Sequence, residues 1–281
     1  MPFIPILPTT GILGYQLLTA TEAEQRAVFE RQPEVRREAE YFMAKIGEIG
    51  SAAELVEDRR LLTVALGAFG MDEEIDKRAF LRRVLEEGSE RSDAFANLFV
   101  DPSYARLARA FGFGDAGGAR TADPGFASSI ADAFLERSFE IAVGDVDENM
   151  RLAISFRREI DTYATAADPD GTAWFSAMGD LPTRRVLEGA LGLPAQISSL
   201  DIDRQQEEFR EAARKTFGSS SLAVFTDPEV VETAVKRFLA RATAEAGFSA
   251  STPGTTALTL LSSAQGFGAG ATQSLTLSNI I

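Results

Sequence analysis

Leu98–Phe113 reads LFVDPSYARLARAFGF, and its core, Phe-x-Asp-Pro, returns from Phe225 in VFTDPEVVETAVKRFL, Val224–Leu239. Aspartate accepts hydrogen bonds from first-turn N–H groups, and proline is preset for the first turn of a helix. Tyr104, Leu107, Ala108 and Phe111 then fall on one face, and Gly112 stands where a helix would end. In the second copy Glu229 suits the positive end of the helix dipole, and Val230, Val231, Ala234, Val235 and Phe238 form the apolar side. Asp101 and Asp227 therefore read as helix caps and not as reactive carboxylates.

The repetition extends beyond this phrase. DRRLLTVALG (Asp58–Gly67) matches TRRVLEGALG (Thr183–Gly192) at six of ten positions, at an offset of 125 residues against 126 for the Asp-Pro phrase. Upstream, REAEY from Arg37 resembles REIDTY from Arg158. Three landmarks in one order predict an internal duplication giving two related multi-helix halves. The expected organisation is an extended N-terminal tail over 1–20, a first helical repeat over 21–112 and a Gly/Ala/Asp-rich linker over 113–127. A second repeat with an extra leading helix covers 128–247, and a low-charge C-terminal tail covers 248–281. Segments 58–111 and 183–238 should superpose, Arg-Arg helix on Arg-Arg helix and Asp-Pro helix on Asp-Pro helix.

The periodicity between these landmarks is helical. Val35, Ala39, Phe42, Ile46 and Ile49 step by four and three, with Pro33 in a first-turn position. Ser51 with Glu54, and Thr21 with Glu24, have capping-box spacing. Alternating β-branched runs are missing from the central part, so the fold class is all-α. ALTLL and SLTLS in the C-terminal tail are the best strand candidates.

Composition narrows the chemistry. The 281 residues are 45% hydrophobic and 25% charged, with net charge −14 and neither cysteine nor histidine. Such an acidic surface repels phosphate backbones and anionic lipid, so neither nucleic-acid nor membrane-surface binding is expected. Ser-His-Asp and Cys-His systems, zinc held by His or Cys, and His-ligated haem are excluded within this chain. A carboxylate-based enzyme stays as a distant third reading. The first 20 residues are apolar with no Lys or Arg before Arg26, unlike a secretory signal, and Pro5, Pro8, Gly11 and Gly14 argue against a spanning helix.

Local patterns that resemble sites have simpler readings. Gly112-x-Gly114-x-x-Gly117 follows a helix and lacks a βαβ unit, so it reads as a helix end and connector, and the cluster Gly266, Gly268, Gly270 is weaker. DVDENM (Asp145–Met150) and DPDGT (Asp168–Thr172) lack the rest of a calcium loop and read as a helix cap and a turn. Arg59-Arg60 and Arg184-Arg185 are expected to meet carboxylates on neighbouring helices, with an anion or partner site as the lesser reading. Trp174, the one tryptophan, is expected to anchor the second half's core. No catalytic, cofactor-binding or metal-ligating residue is assigned, and no cofactor is expected.

LVEDRRLLTVALGAFGMDEEIDKRAFLRRVLEEG, followed by LFVDPSYARLARAFGFG, resembles an uncharacterised bacterial family labelled only as a domain of unknown function. Genes of that family tend to sit among flagellar genes, and members often carry duplicated copies. The resemblance spans about Tyr15–Gly114 and, in degenerate form, about Asp147–Gly247. It implies a non-catalytic structural or accessory role at the bacterial flagellum or in motility, by contact with flagellar components or with another copy. The competing reading is a cytoplasmic binding or regulatory module such as a flagellar export chaperone. The chain is then either cytoplasmic or exported to the flagellum.

Overall fold

The computed structural model describes residues 3–250, which form twelve α-helices with short 3₁₀ turns and, among the described residues, no strand. The all-α expectation holds. ALTLL, SLTLS and the glycine cluster at 266–270 lie outside the described residues, as does the C-terminal tail beyond residue 250.

The first helix, α1 (Gly11–Glu30), overturns the expectation of an extended tail over 1–20. Only residues 3–10 run as a strap, held where the Gln25 side chain bonds both the N–H (2.7 Å) and the carbonyl (3.3 Å) of Ile6. Gly14, read as a helix breaker, is a contact point. A Cβ there would lie 2.1 Å from the Thr9 carbonyl oxygen, so the missing side chain lets the strap fold back on the helix. The Thr21–Glu24 capping box does not form either. Thr21 lies inside α1 and its hydroxyl donates to the Leu17 carbonyl at 2.9 Å.

The first half then comprises α2 (Pro33–Lys45), α3 (Ala52–Glu57), α4 (Arg59–Phe69), α5 (Arg78–Glu87), α6 (Ser103–Phe111) and α7 (Phe126–Gly144). The second comprises α8 (Glu148–Ala164), α9 (Thr172–Gly179), α10 (Leu181–Leu191), α11 (Ile202–Phe217) and α12 (Pro228–Ala250). The caps are those the residue types dictate. Ser51 and Glu54 form the reciprocal box of α3, and Asp58 and Asp147 each accept two backbone N–H bonds. Asp101 accepts from the Ser103 N–H (2.8 Å) and Asp227 from the Glu229 N–H (2.9 Å).

Two triads repeat one packing scheme: α2, α4 and α7 in the first, α8, α10 and α12 in the second, each helix touching the other two. Local geometry repeats with them. Tyr41 donates to Asp58 and Tyr163 to Asp180, both across 17 residues, and the two aspartates have the same backbone angles within 1°. Gly70 and Gly192 end α4 and α10 in the left-handed region, at φ of 71° and 75°. Gly67 abuts Phe134 on α7, and Gly189 abuts Phe238 on α12.

These equivalences correct the sequence register twice. Asp58 corresponds to Asp180 and not to Thr183, one helical turn away, so the two Arg-Arg pairs are not equivalent. A slip of one turn leaves the apolar stripe on the same face, so hydrophobic period cannot detect it, whereas caps fix register absolutely. The second-half Asp-Pro helix corresponds to α7, not to α6. Phe134 stands eleven residues after Asp123-Pro124, as Phe238 stands eleven after Asp227-Pro228, and FLER at 134–137 matches FLAR at 238–241. The helix pair α5–α6 packs at the side of the first triad.

The boundaries shift accordingly. The stretch read as a linker over 113–127 is a packed connector: Asp115 accepts from the backbone of Ser89 (2.7 Å) and Glu90 (3.2 Å), and Thr121 donates to the Ile49 carbonyl at 2.6 Å. Helix α7, expected to lead the second repeat, completes the first triad. Its Ile130 and Phe134 belong to the core of Phe42, Leu62 and Leu66, while its Phe139 and Val143 enter the second core, around Phe156, Ile160 and Trp174. Tyr15 and Leu18 of α1 also join that second core.

Candidate functional site

The two triads meet across α7 and α8, and the contact is built on charge. Glu159 on α8 is 7% exposed and faces three guanidinium groups: Arg106 of α6 at 2.8 Å, Arg137 of α7, and its neighbour Arg158. Arg158 also grips Glu140 of α7 with two parallel bonds of 2.7 and 2.9 Å. That fork geometry is one only arginine offers. Burial alone would raise the Glu159 carboxyl, but Arg137, Arg106 and Arg158 outweigh it and hold the group below the usual carboxylate range. Arg137 is pushed down, first by burial and then by Arg158 beside it.

A second polar knot adjoins the first. Asp180 at the start of α10 accepts from Thr183 (2.5 Å) and Tyr163 (3.2 Å), and burial raises its carboxyl above the ordinary value despite those donors and Arg106. Burial likewise raises the Tyr163 phenol. Further out, Arg26 of α1 reaches Glu136 of α7 at 3.0 Å, and Arg157 of α8 pairs with Glu22 of α1. The arrangement holds five helices, α1, α6, α7, α8 and α10, in one relative position, and most of its carboxylate and guanidinium groups are spent on one another.

At the rim of this junction lies an apolar surface. Leu98, Val100 and Leu181 are 65, 75 and 69% exposed. The Val100 carbonyl packs onto Gly179, where a Cβ would come within 2.1 Å of it, so the loop before α6 rides directly on the α9–α10 corner. Behind the loop, Phe80, Phe95, Phe99 and Tyr104 cluster with centroids 4.8 to 5.4 Å apart, edge to face except for the tilted Phe99–Tyr104 pair, and burial lifts the Tyr104 phenol to about 12.

The residues singled out from sequence fall as follows. Arg60 pairs with Glu38 of α2 at 3.0 Å and lies 3.8 Å over the Tyr41 ring, and Arg59 meets Asp76 at 2.9 Å. Arg184 pairs with Glu188 of its own helix and with Gln205 of α11, while Arg185 lines a groove with Glu188 and Phe238. Gly112 ends α6 at φ 68°, and Gly114 lets the connector touch the backbone at Glu86–Gly88. Asp168 closes a turn by accepting from the Gly171 and Thr172 N–H groups. No cluster of three or more potential ligands for a metal ion occurs among the described residues. Trp174 is fully buried, donating to the Ser220 carbonyl at 3.1 Å. The Glu159 cluster escaped sequence reading. Its signal is Arg158-Glu159, set among the apolar positions Ala153, Phe156, Ile160 and Tyr163 of α8.

A family model described as "Protein of unknown function (DUF1217)" matches residues 68–231. The chain belongs to this family. The match runs from the end of α4 to the start of α12, so the family unit crosses both triads and includes their charged junction. Among solved structures, the X-ray crystal structure of a protein from Agrobacterium tumefaciens, a structural-genomics target, is similar at a TM-score of 0.70 and 26% identity. The match covers 84% of this chain and 95% of that one. No curated protein matches the chain. No described helix is long and apolar enough to cross a membrane.

Proposed function

We propose that the chain is a non-catalytic structural or accessory protein that acts by protein–protein contact in association with the bacterial flagellum or motility. The observation that carries the contact is the surface formed by Leu98, Val100 and Leu181. Three large aliphatic side chains, each about two thirds exposed or more, crown the corner where the two triads are locked together. Exposed aliphatic groups on a rigid corner are the usual core of a contact surface, because a partner buries them without ordering a loop. The flagellar part rests on the gene neighbourhood implied by the family resemblance.

The test is complementation. In a motile bacterium lacking the gene, a Val100→Asp/Leu181→Asp chain should fail to restore swimming while keeping the wild-type melting temperature. Full restoration would remove this surface from the function. Fractionation separates the alternative, an export chaperone or other cytoplasmic module, which the net charge of −14 favours. A structural component travels with the basal body or filament, and a chaperone stays in the cytosol.

A further inference from the structure

Residues 3–20 carry no charge, and their inner side is committed to the body. Phe3 packs against Phe29 and Phe139, and Tyr15 and Leu18 are buried. Their outer side is apolar and open: Ile4 and Ile6 on the strap are about 70% exposed, and Leu13 and Leu17, one turn apart on α1, are 59 and 41% exposed. Chain continuity points to what covers this side. Helix α12 packs against α1, and its Thr243 stands so close to Gly11 that a Cβ there would lie 3.0 Å from the hydroxyl. A groove of about 180 Å³ between Thr10–Gly11 and Leu239–Ala246 runs along the same seam. Helix α12 runs on past the start of α1 to Ala250, and the chain continues from there into residues 251–281. That segment has no charged residue and carries Leu258, Leu260, Leu261, Leu275 and Leu277.

We propose that the apolar outer side of the strap and α1 is a docking surface for residues 251–281 of the same chain. Magnitudes favour this occupant over a second copy. A tethered segment works at an effective concentration on the order of millimolar. A stable contact between copies has to bury about 1,200–2,000 Å², here between molecules that each carry a net charge of −14. Reach is sufficient. Eight extended residues span roughly 26 Å, whereas the path to Leu17 is about 20 Å: about 10 Å back along α12 from Ala250 to Thr243 and about 9 Å along α1 from Gly11. The contact is independent of the Leu98–Val100–Leu181 surface.

The absence of cysteine makes the test direct. Full-length chains carrying Leu17→Cys with Leu260→Cys, or Ile6→Cys with Leu260→Cys, are incubated with oxidised glutathione and followed by non-reducing electrophoresis and peptide mass spectrometry. At least one pair should form an intramolecular disulfide at least tenfold faster than a control pair of Asp76→Cys with Leu260→Cys, whose first site is exposed on the first half. Melting of the reduced variants should match wild type. Disulfide-linked dimers would assign the surface to a second copy and overturn the proposal. Rates no faster than the control for both pairs would overturn it as well.

Discussion

Glu159 shows how one buried charge fixes the relation of two halves. Taking a lone carboxylate out of water costs several kcal/mol, and three arginines around it offset that cost by direct bonds in a poorly screened site. Removing one partner strands the others. Glu159→Gln is therefore expected to lower stability by about 3–5 kcal/mol at pH 7 in denaturant melts. The pH dependence follows from the signs. Glu159 lies below its ordinary value when folded, so its contribution is complete above about pH 4.5 and is lost as pH falls through the folded value. Asp180 and Asp72 are raised by burial and act oppositely, favouring the folded chain while protonated and weakening it as pH rises through their folded values. The gap between wild type and Glu159→Gln should accordingly shrink below about pH 4.5. A gap that stays constant down to pH 3 would mean that shape, not ionisation, is what the site needs. Gly189 poses the complementary steric case. Alanine there gains up to about 1 kcal/mol of helix propensity, yet its Cβ would lie 2.6 Å from the buried Phe238 ring. Overpacking of that kind costs about 1–3 kcal/mol, so Gly189→Ala should melt lower than wild type.

At the scale of elements, the tyrosine–aspartate clasp before α4 and α10 has the same spacing and aspartate backbone angles but different surroundings. Tyr163 is 4% exposed and its bond to Asp180 is shielded, whereas Tyr41 is only half-buried and bonds Asp58 near solvent. Tyr163→Phe should cost about 1–3 kcal/mol and Tyr41→Phe clearly less. Equal losses would show that the clasp acts through backbone placement alone. The same pair marks the limit of sequence reading. Helix positions after α1, the Asp-Pro starts, the Ser51–Glu54 box and the glycine end at Gly112 were legible, because caps and breakers are local chemistry. Register was not. DRRLLTVALG aligned on TRRVLEGALG by its arginines, yet those arginines lie a turn apart in the two triads. The tyrosines and aspartates that fix the register look unremarkable in sequence, because their partnership spans 17 residues. Helix α1 was missed because Gly11 and Gly14 read as breakers when they are places of close approach. Of the candidate site, the aliphatic side chains were visible as residues but not as a surface, because the Val100 loop reaches the Gly179–Leu181 corner only through tertiary folding.

For the whole molecule, the decisive feature is that no boundary separates the cores. Helix α7 gives Ile130 and Phe134 to the first core and Phe139 and Val143 to the second, over only 14 residues. Helix α1 precedes the first half in sequence but buries Tyr15 and Leu18 in the second core, and its Arg26 ties back to α7. The Glu159 knot draws in α6, α7 and α8 at once. A helix unwinds cooperatively, so loss of either core removes the apolar support from half of α7 and exposes the buried charges at the junction. The outer faces of the triads lack this coupling. On α2 the positions equivalent to buried Ser155 and Glu159 are exposed Pro33 and Arg37, so the stack of triads is closed by polar surface on that side, as a terminal repeat requires. Two triads coupled at the junction and solvated at that outer face should unfold as one unit. The expected result in calorimetry is a single transition whose calorimetric and van't Hoff enthalpies agree, with Glu159→Gln lowering the whole transition. Two resolved transitions, or a Glu159→Gln chain in which only one core melts earlier, would instead assign α7 to one half alone and make the triads separable domains.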